Sequence, residues 1–248
     1  MTIVTDYQNL IIQAGGQLSQ QAIDAHVTFS DNLISQGLWD KLLEVWTSAG
    51  SNLSAALIKL KYQDNPCMVG VNFTENDYSP STGLQGGVGK LLKTGFIPAN
   101  HFSNGSDVSI SAYLKIVNGG GSTRNYLGAS ASFRLFTVTS SNTFASALGN
   151  APLSLVNQAN NNSFLLASNL PDGSSYLKSN NKILAKKDGI LNPTIPSSEL
   201  YLYQQNGATA SYINTGIINF YAIGQGLTDS ESTNLYKAVV DLNASLNR

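Results

Sequence analysis

The sequence predicts a mainly β protein, an antiparallel sandwich with a helical segment before it and one helix after it. Three observations predict it. Residues 107–117 alternate apolar and polar side chains as far as Ile116. A series of short strand-like runs, divided by Gly, Asn, Ser and Pro clusters, fills the middle of the chain. The chain then closes on an apolar stripe at helical spacing behind a capping sequence. Many short strands separated by turn residues describe a sandwich or barrel, since those residues reach backbone angles that others resist.

Residues 1–62 read as the N-terminal helical segment. Ser19 is placed to cap a helix in which Ile23, Val27 and Ile34 recur at helical spacing, and Gly37 supplies the stop. Leu38, Trp39, Leu42, Leu43, Val45 and Trp46 then form a dense apolar cluster. A further short helix fits 52–60 through Leu53, Leu57 and Leu60. Helices this short are not stable alone and must pack on something. Large aromatics anchor many interfaces, so Trp39 and Trp46 are the interface candidates, with core packing as the alternative.

Residues 63–248 read as the sandwich with its closing helix. In 107–117, Val108, Ile110, Ala112, Leu114 and Ile116 share one face, which describes a half-buried antiparallel strand. Further strands are expected at 133–139, 163–168, 176–179, 182–186, 199–204 and 217–223. Asn180-Asn181 joins two of them as a two-residue hairpin, because Asn tolerates the positive φ that a type I′ turn requires. Thr228 to Glu231 matches a capping box, followed by Leu235, Val239, Leu242 and Leu246 on one helical face.

Composition narrows the function classes. Only 12% of the 248 residues are charged, about half the usual share, and Asn, Ser, Thr, Gln and Gly take their place. Fourteen basic and fifteen acidic residues leave a net charge of −1, with no Lys/Arg cluster able to displace counterions from a phosphate backbone, so nucleic acid is not an expected partner. Cys67 is the only cysteine, which excludes an internal disulfide and a thiolate zinc site; it reads as a small buried hydrophobe. The first twelve residues lack the form of a signal peptide, and no apolar run is long enough to insert into a membrane.

Little in the sequence points to chemistry. His26 and His101 are the only imidazoles, and neither has a metal-binding spacing, so no metal or cofactor is expected and both read as packing or surface residues. The glycines from Gly83 to Gly89 precede Lys90, but Leu84 and Leu91 stand where a phosphate loop needs Gly and Ser or Thr. Glu75 and Asp77 would share a strand face, as a retaining glycosidase needs. Yet Tyr78-Ser79-Pro80 follow with no third acid, unlike the longer acidic strands of concanavalin A-like hydrolases. No catalytic residue is therefore assigned. Tyr113, Tyr201 and Tyr203 lie opposite the aliphatic faces of their strands and are the candidates for stacking on sugar rings, with cross-strand packing as the alternative.

Several stretches look familiar in combination. They are Gly37-Leu38-Trp39-Asp40-Lys41; Asn52, Ala55, Ala56, Leu57, Leu60 and Lys61; Gly83-Leu84-Gln85-Gly86 with Lys90 and Thr94-Gly95; and Ile223 to Glu231 running on through Asn234-Leu235-Tyr236 to the closing Arg248. Together, and in this order, they resemble phage virion proteins described as structural, tail-fibre or decoration proteins. The resemblance implies a concanavalin A-like (laminin G-like) jelly roll and a place in the virion, on the exterior of the capsid or in the tail or fibre. It implies a non-enzymatic role in assembly with other virion proteins or further copies. A lectin-like module that recognises host surface glycan is the alternative, and a glycoside hydrolase a more distant one. Gln225 departs from the Asp common in that family, and Asn180-Asn181 from its Asn-Gly turn.

Overall fold

The computed structural model describes residues 2–115, 124–138, 143–148, 152–154, 162–189, 193–204, 206 and 216–248. Helices α1 (Ile3–Gln13) and α2 (Gln20–Ser35) lead into strand β1 (Leu42–Trp46) and the one-turn helix α3 (Leu53–Ala56). Four short strands follow: β2 (Val69–Val71), β3 (Tyr78–Ser79), β4 (Gly83–Gln85) and β5 (Leu91–Lys93). The main strands are β6 (Val108–Lys115), β7 (Arg124–Ser130), β8 (Phe133–Val138), β9 (Thr143–Leu148), β10 (Pro152–Ser154), β11 (Asn162–Asn169), β12 (Ser175–Ser179), β13 (Lys182–Lys187), β14 (Tyr201–Leu202) and β15 (Ile217–Gly224). Helix α4 (Asp229–Ser245) completes the chain.

Two antiparallel sheets face each other. One runs β13-β12-β11-β6-β15-β4-β3, with β1 pairing with β15 beside β4; the other runs β10-β9-β8-β7-β14-β5-β2. Ile110, Leu114, Leu165, Leu177 and Ile223 of the first sheet meet Leu92, Phe133, Leu135 and Leu202 of the second in the inter-sheet core. A second core lies on the other side of the first sheet, where Phe164, Leu166, Phe220 and Ala222 meet Tyr7, Ile11, Phe29, Leu33 and the α4 residues Leu235, Val239 and Leu242. The first sheet is thus covered on both faces. That is why β15 reads Ile-Ile-Asn-Phe-Tyr-Ala-Ile-Gly, without alternation, and why each of its residues is buried. Complete burial of one such Phe or Ile contributes about 1.5–3 kcal/mol.

The expected mainly β sandwich with helices at both ends is the observed architecture, and its turn chemistry follows the residues. Asn180 and Asn181 both hold positive φ, at 46° and 66°, where β12 turns into β13. Ser19 caps α2 by accepting from the Ala22 N–H, and Gly37 (φ 67°) ends it. Thr228 and Glu231 form the reciprocal capping box of α4.

Five expectations need correction. Residues 42–46 form a strand rather than part of a helical segment, because their partner is β15, some 180 residues away in sequence. The buried face of α2 carries Ala22, Ala25, His26, Phe29 and Leu33, while Val27 and Ile34 are exposed. The helix expected over 52–60 is one turn long, after which Leu60 and Lys61 pair with Val45. Strand β6 is not half-buried: its polar Ser109 and Ser111 lie under the helical layer and donate to the carbonyls of Gln225 and Ala222. Cys67 is exposed. The part of the 107–117 run beyond Lys115 lies outside the described residues.

Candidate functional site

The three tyrosines do not form a site. Tyr113 lies half-buried under the helical layer, against the core that contains α4. Tyr201 points outward from the second sheet, with the Lys93 ammonium 6.0 Å from its ring centre. Tyr203 is 1% exposed: a left-handed backbone (φ 69°) turns it into the inter-sheet core. There its hydroxyl donates to the Leu84 carbonyl and accepts from the Ile218 N–H at 3.2 Å. Strand β14 ends at Leu202, so the alternation expected over 199–204 does not carry Tyr203 to the surface with Tyr201.

The two tryptophans differ. Trp46 is fully buried between the sheets, and its indole N–H donates to the Ala56 carbonyl at 2.6 Å, so it is core and not interface. Trp39 is half-buried, with the Lys61 ammonium 4.9 Å above its ring. Glu75 and Asp77 lie in a single 3-10 turn rather than on a strand face. The Glu75 carboxylate accepts from the Leu53 N–H at 2.9 Å, and Asp77 pairs with Lys90 and accepts from the Thr74 N–H at 2.8 Å. Those bonds hold the Asp77 carboxyl below its ordinary range despite the opposing effect of desolvation. Both carboxylates are committed to the fold. His101 stacks on Phe96 and meets Asp64 at 2.9 Å. No group of three or more potential metal ligands occurs among the described residues.

The residues behind the family resemblance meet in space. The Gln225 N–H donates to the Lys41 carbonyl at 2.8 Å, and the Lys41 ammonium pairs with Glu231 at 2.6 Å. A Cβ on Gly224 would lie 2.2 Å from the Lys41 carbonyl oxygen, and one on Gly226 would lie 2.1 Å from that of Asn169. Two glycines are therefore needed where β15 ends against the start of β1 and the chain then passes the end of β11 on its way into α4. Gln225 itself is exposed and contributes through its backbone, so Gln in place of Asp leaves the clamp unchanged. Lys61 donates to the Trp39 carbonyl, and Lys59, one residue before Leu60, forms a fully buried pair with Glu44 at 2.6 Å.

One concavity stands out among the described residues. It has a volume of about 450 Å³ and opens where the α1–α2 connection, the loop after β1, the β3–β4 turn and the C-terminal residues converge. Its one charged lining residue is Arg248. The Arg248 guanidinium donates to the carbonyls of Pro80, Thr47 and Ser48 at 2.8, 2.9 and 2.7 Å. Burial lowers its proton affinity from the usual value, and no Asp or Glu pairs with it among the described residues. Sequence reasoning missed this site because four distant segments build it. The one legible signal was the closing Arg248, part of the stretch that carries the resemblance.

With this geometry in hand, the chain can be set beside known proteins. No protein-family model matches it, and no curated protein matches its sequence. Solved structures do resemble it. A mutant of Trypanosoma rangeli sialidase displaying trans-sialidase activity superposes with a TM-score of 0.60 at 13% identity, over 89% of this chain and 39% of that one. The same sialidase in complex with sialic acid gives 0.56 at 14% identity, over 79% and 33%. The binding domain of botulinum neurotoxin serotype D gives 0.57 at 10% identity, over 80% and 52%. The chain therefore spans about a third of the sialidases' length and about half of the toxin domain's. At these identities the likeness shows the fold, a lectin-like β-sandwich, and nothing finer.

Proposed function

We propose that this chain is a non-enzymatic structural component of a bacteriophage virion, a capsid decoration or a tail or fibre protein, that works by assembly with other virion proteins or further copies of itself. The observation that carries the reading is the mutual contact of the resembling stretches. The Gly37–Lys41 and Ile223–Glu231 elements lock β1, β15 and α4 together, which suits a rigid module. Glu75 and Asp77, the pair weighed for sugar cleavage, are held in a capped turn, which speaks against the hydrolase reading. With Trp46 in the core, assembly surface has to be sought elsewhere, and Val27 and Ile34 on the outward face of α2 supply apolar area that association would cover. Localisation would be the virion.

A glycan-binding role is the second reading, and the specific observation that favours it is the Arg248 pocket on a lectin-like sandwich. The structural role is tested by mass spectrometry of gradient-purified particles of the phage that encodes the chain. Peptides recovered at a fixed ratio to the major capsid protein support it. Their complete loss from particles, with the chain present in the infected-cell lysate, overturns it.

A further inference from the structure

We propose that copies of this chain associate head to tail, with the outward stripe of α2 on one copy docking along the free edge of β13 on the next. This rests on the assembly reading and deepens it by naming the two faces, and it can fail without touching the virion assignment.

The first face begins with the N-terminal sequence. Residues 1–40 contain four aspartates and no lysine, arginine or glutamate. Asp24, Val27, Asp31 and Ile34 recur at helical spacing, so they form one stripe along α2, and all four are exposed. Neither Asp24 nor Asp31 has a cation within ion-pair distance among the described residues. The second face is the edge of the first sheet. Strand β13 pairs with β12, and no strand among the described residues pairs with its other edge. Lys182, Ile183, Lys186 and Lys187 are exposed there. Ile183 stands opposite Lys178 and Lys186 opposite Tyr176, two residues that face the helical layer. The register shift between Leu177 and Lys178 puts Ile183 and Lys186 on that same side. Lys186 meets Asp188 of its own strand end at 3.4 Å, while Lys182 and Lys187 make no ion pair among the described residues.

Charge selects the pairing. Two copies joined α2 to α2 would set aspartate against aspartate. Two joined β13 to β13 would set lysine against lysine, the usual guard of a sheet edge against its own kind. α2 against β13 pairs opposite charges and covers Val27, Ile34 and Ile183, which are 38%, 50% and 43% exposed in the single chain. The lengths agree as well: Asp24 to Ile34 spans about 15 Å of helix, and Lys182 to Lys187 about 17 Å of strand. Because the two faces differ, each copy keeps one of each for its neighbours, so the contact is heterologous and extends into a ring or a row. One helix stripe on one strand edge is a small interface, so the association is reversible and concentration-dependent.

Sedimentation velocity of the purified full chain over a dilution series tests it, at low salt and again in about 1 M NaCl, where charges are screened beyond about 3 Å. The expected result is a monomer–oligomer equilibrium at low salt that salt weakens. Two charge-reversed chains then address the faces, one carrying Asp24→Lys and Asp31→Lys, the other Lys186→Glu and Lys187→Glu. All four positions are exposed, so both chains should keep the wild-type melting temperature. Each alone should associate about tenfold or more weakly than the wild type. An equimolar mixture of the two should associate again, because each reversed face then meets its complement on the other chain. A wild type that stays monomeric at low salt, association that neither reversal weakens, or a mixture that stays dissociated would each overturn the proposal. Recovery of the chain from purified particles would still leave the virion assignment standing in those cases.

Discussion

Acidification should loosen the helical layer from the sandwich through His26. That ring is fully buried on α2, where Nδ1 lies 2.6 Å from the Ala22 carbonyl. A carbonyl only accepts, so Nδ1 carries the proton and Nε2 is left to accept from the Thr47 hydroxyl at 2.9 Å. The Tyr7 hydroxyl in turn donates to Thr47 at 3.3 Å, so α1, α2 and the end of β1 are tied by one directed chain of bonds. A second proton on the ring would set two donors against each other where water does not reach. Burial, with the nearby Arg248 charge adding to it and the Ala22 bond opposing it, lowers the His26 pKa from 6.5 to about 4. The unfolded chain then takes up a proton near 6.5 and the folded chain only near 4. The stability His26 confers is therefore complete above pH 6.5 and is lost as the pH falls toward 4. At about 1.4 kcal/mol per pH unit the gap amounts to about 3 kcal/mol, a large part of a typical domain's stability. Glu44, whose pKa is raised by burial against the opposing pull of Lys59 and Tyr221, acts with the opposite sign and loses its share as the pH rises. Urea unfolding at steps from pH 7 to pH 4, on the wild type and on His26→Phe, separates the two because Glu44 is common to both. The wild type should lose about 3 kcal/mol more than the variant across that window. Parallel pH profiles would refute the argument.

Three further perturbations read other parts of the fold. Lys59→Met leaves the buried Glu44 carboxylate with the Tyr221 hydroxyl and no cation, and should cost about 3–5 kcal/mol in chemical denaturation, most of it recovered by adding Glu44→Leu. A neutral single substitution would contradict that. Gly224→Ala must push β15 off the β1 backbone, with an expected loss of about 1–3 kcal/mol and a lower melting temperature; an unchanged melting curve would mean the close approach is not tight. Tyr203→Phe strips the Leu84 carbonyl and the Ile218 N–H of a partner and should cost about 1–3 kcal/mol, whereas Tyr201→Phe should stay within about 0.5 kcal/mol. Equal effects of the two would remove the distinction drawn between a core and a surface tyrosine.

What could be read from the sequence was what neighbours in the chain decide. The Asn180-Asn181 turn, the Ser19 cap and the Thr228–Glu231 box depend on residues within a few positions of one another, and each is present. Strand β6 is legible from its alternation, but alternation alone assigns its polar face to water, because no local signal says that Ser109 and Ser111 will be buried. Residues 42–46 were misread for a related reason: a dense run of Leu, Val and Trp fits either period, and only β15 decides it. Tyr203 failed on a single left-handed backbone angle, which carries no signature in a Tyr-Gln sequence. The Arg248 pocket was invisible because its walls come from both ends of the chain.

The central claim is that this chain is an exterior part of a phage particle. Immunogold electron microscopy of intact virions, with an antibody raised against the purified chain, tests it most directly. The account predicts regular label on the capsid surface or along the tail and fibres. Particles that carry no label intact and none after disruption, while the infected-cell extract reacts, would contradict it.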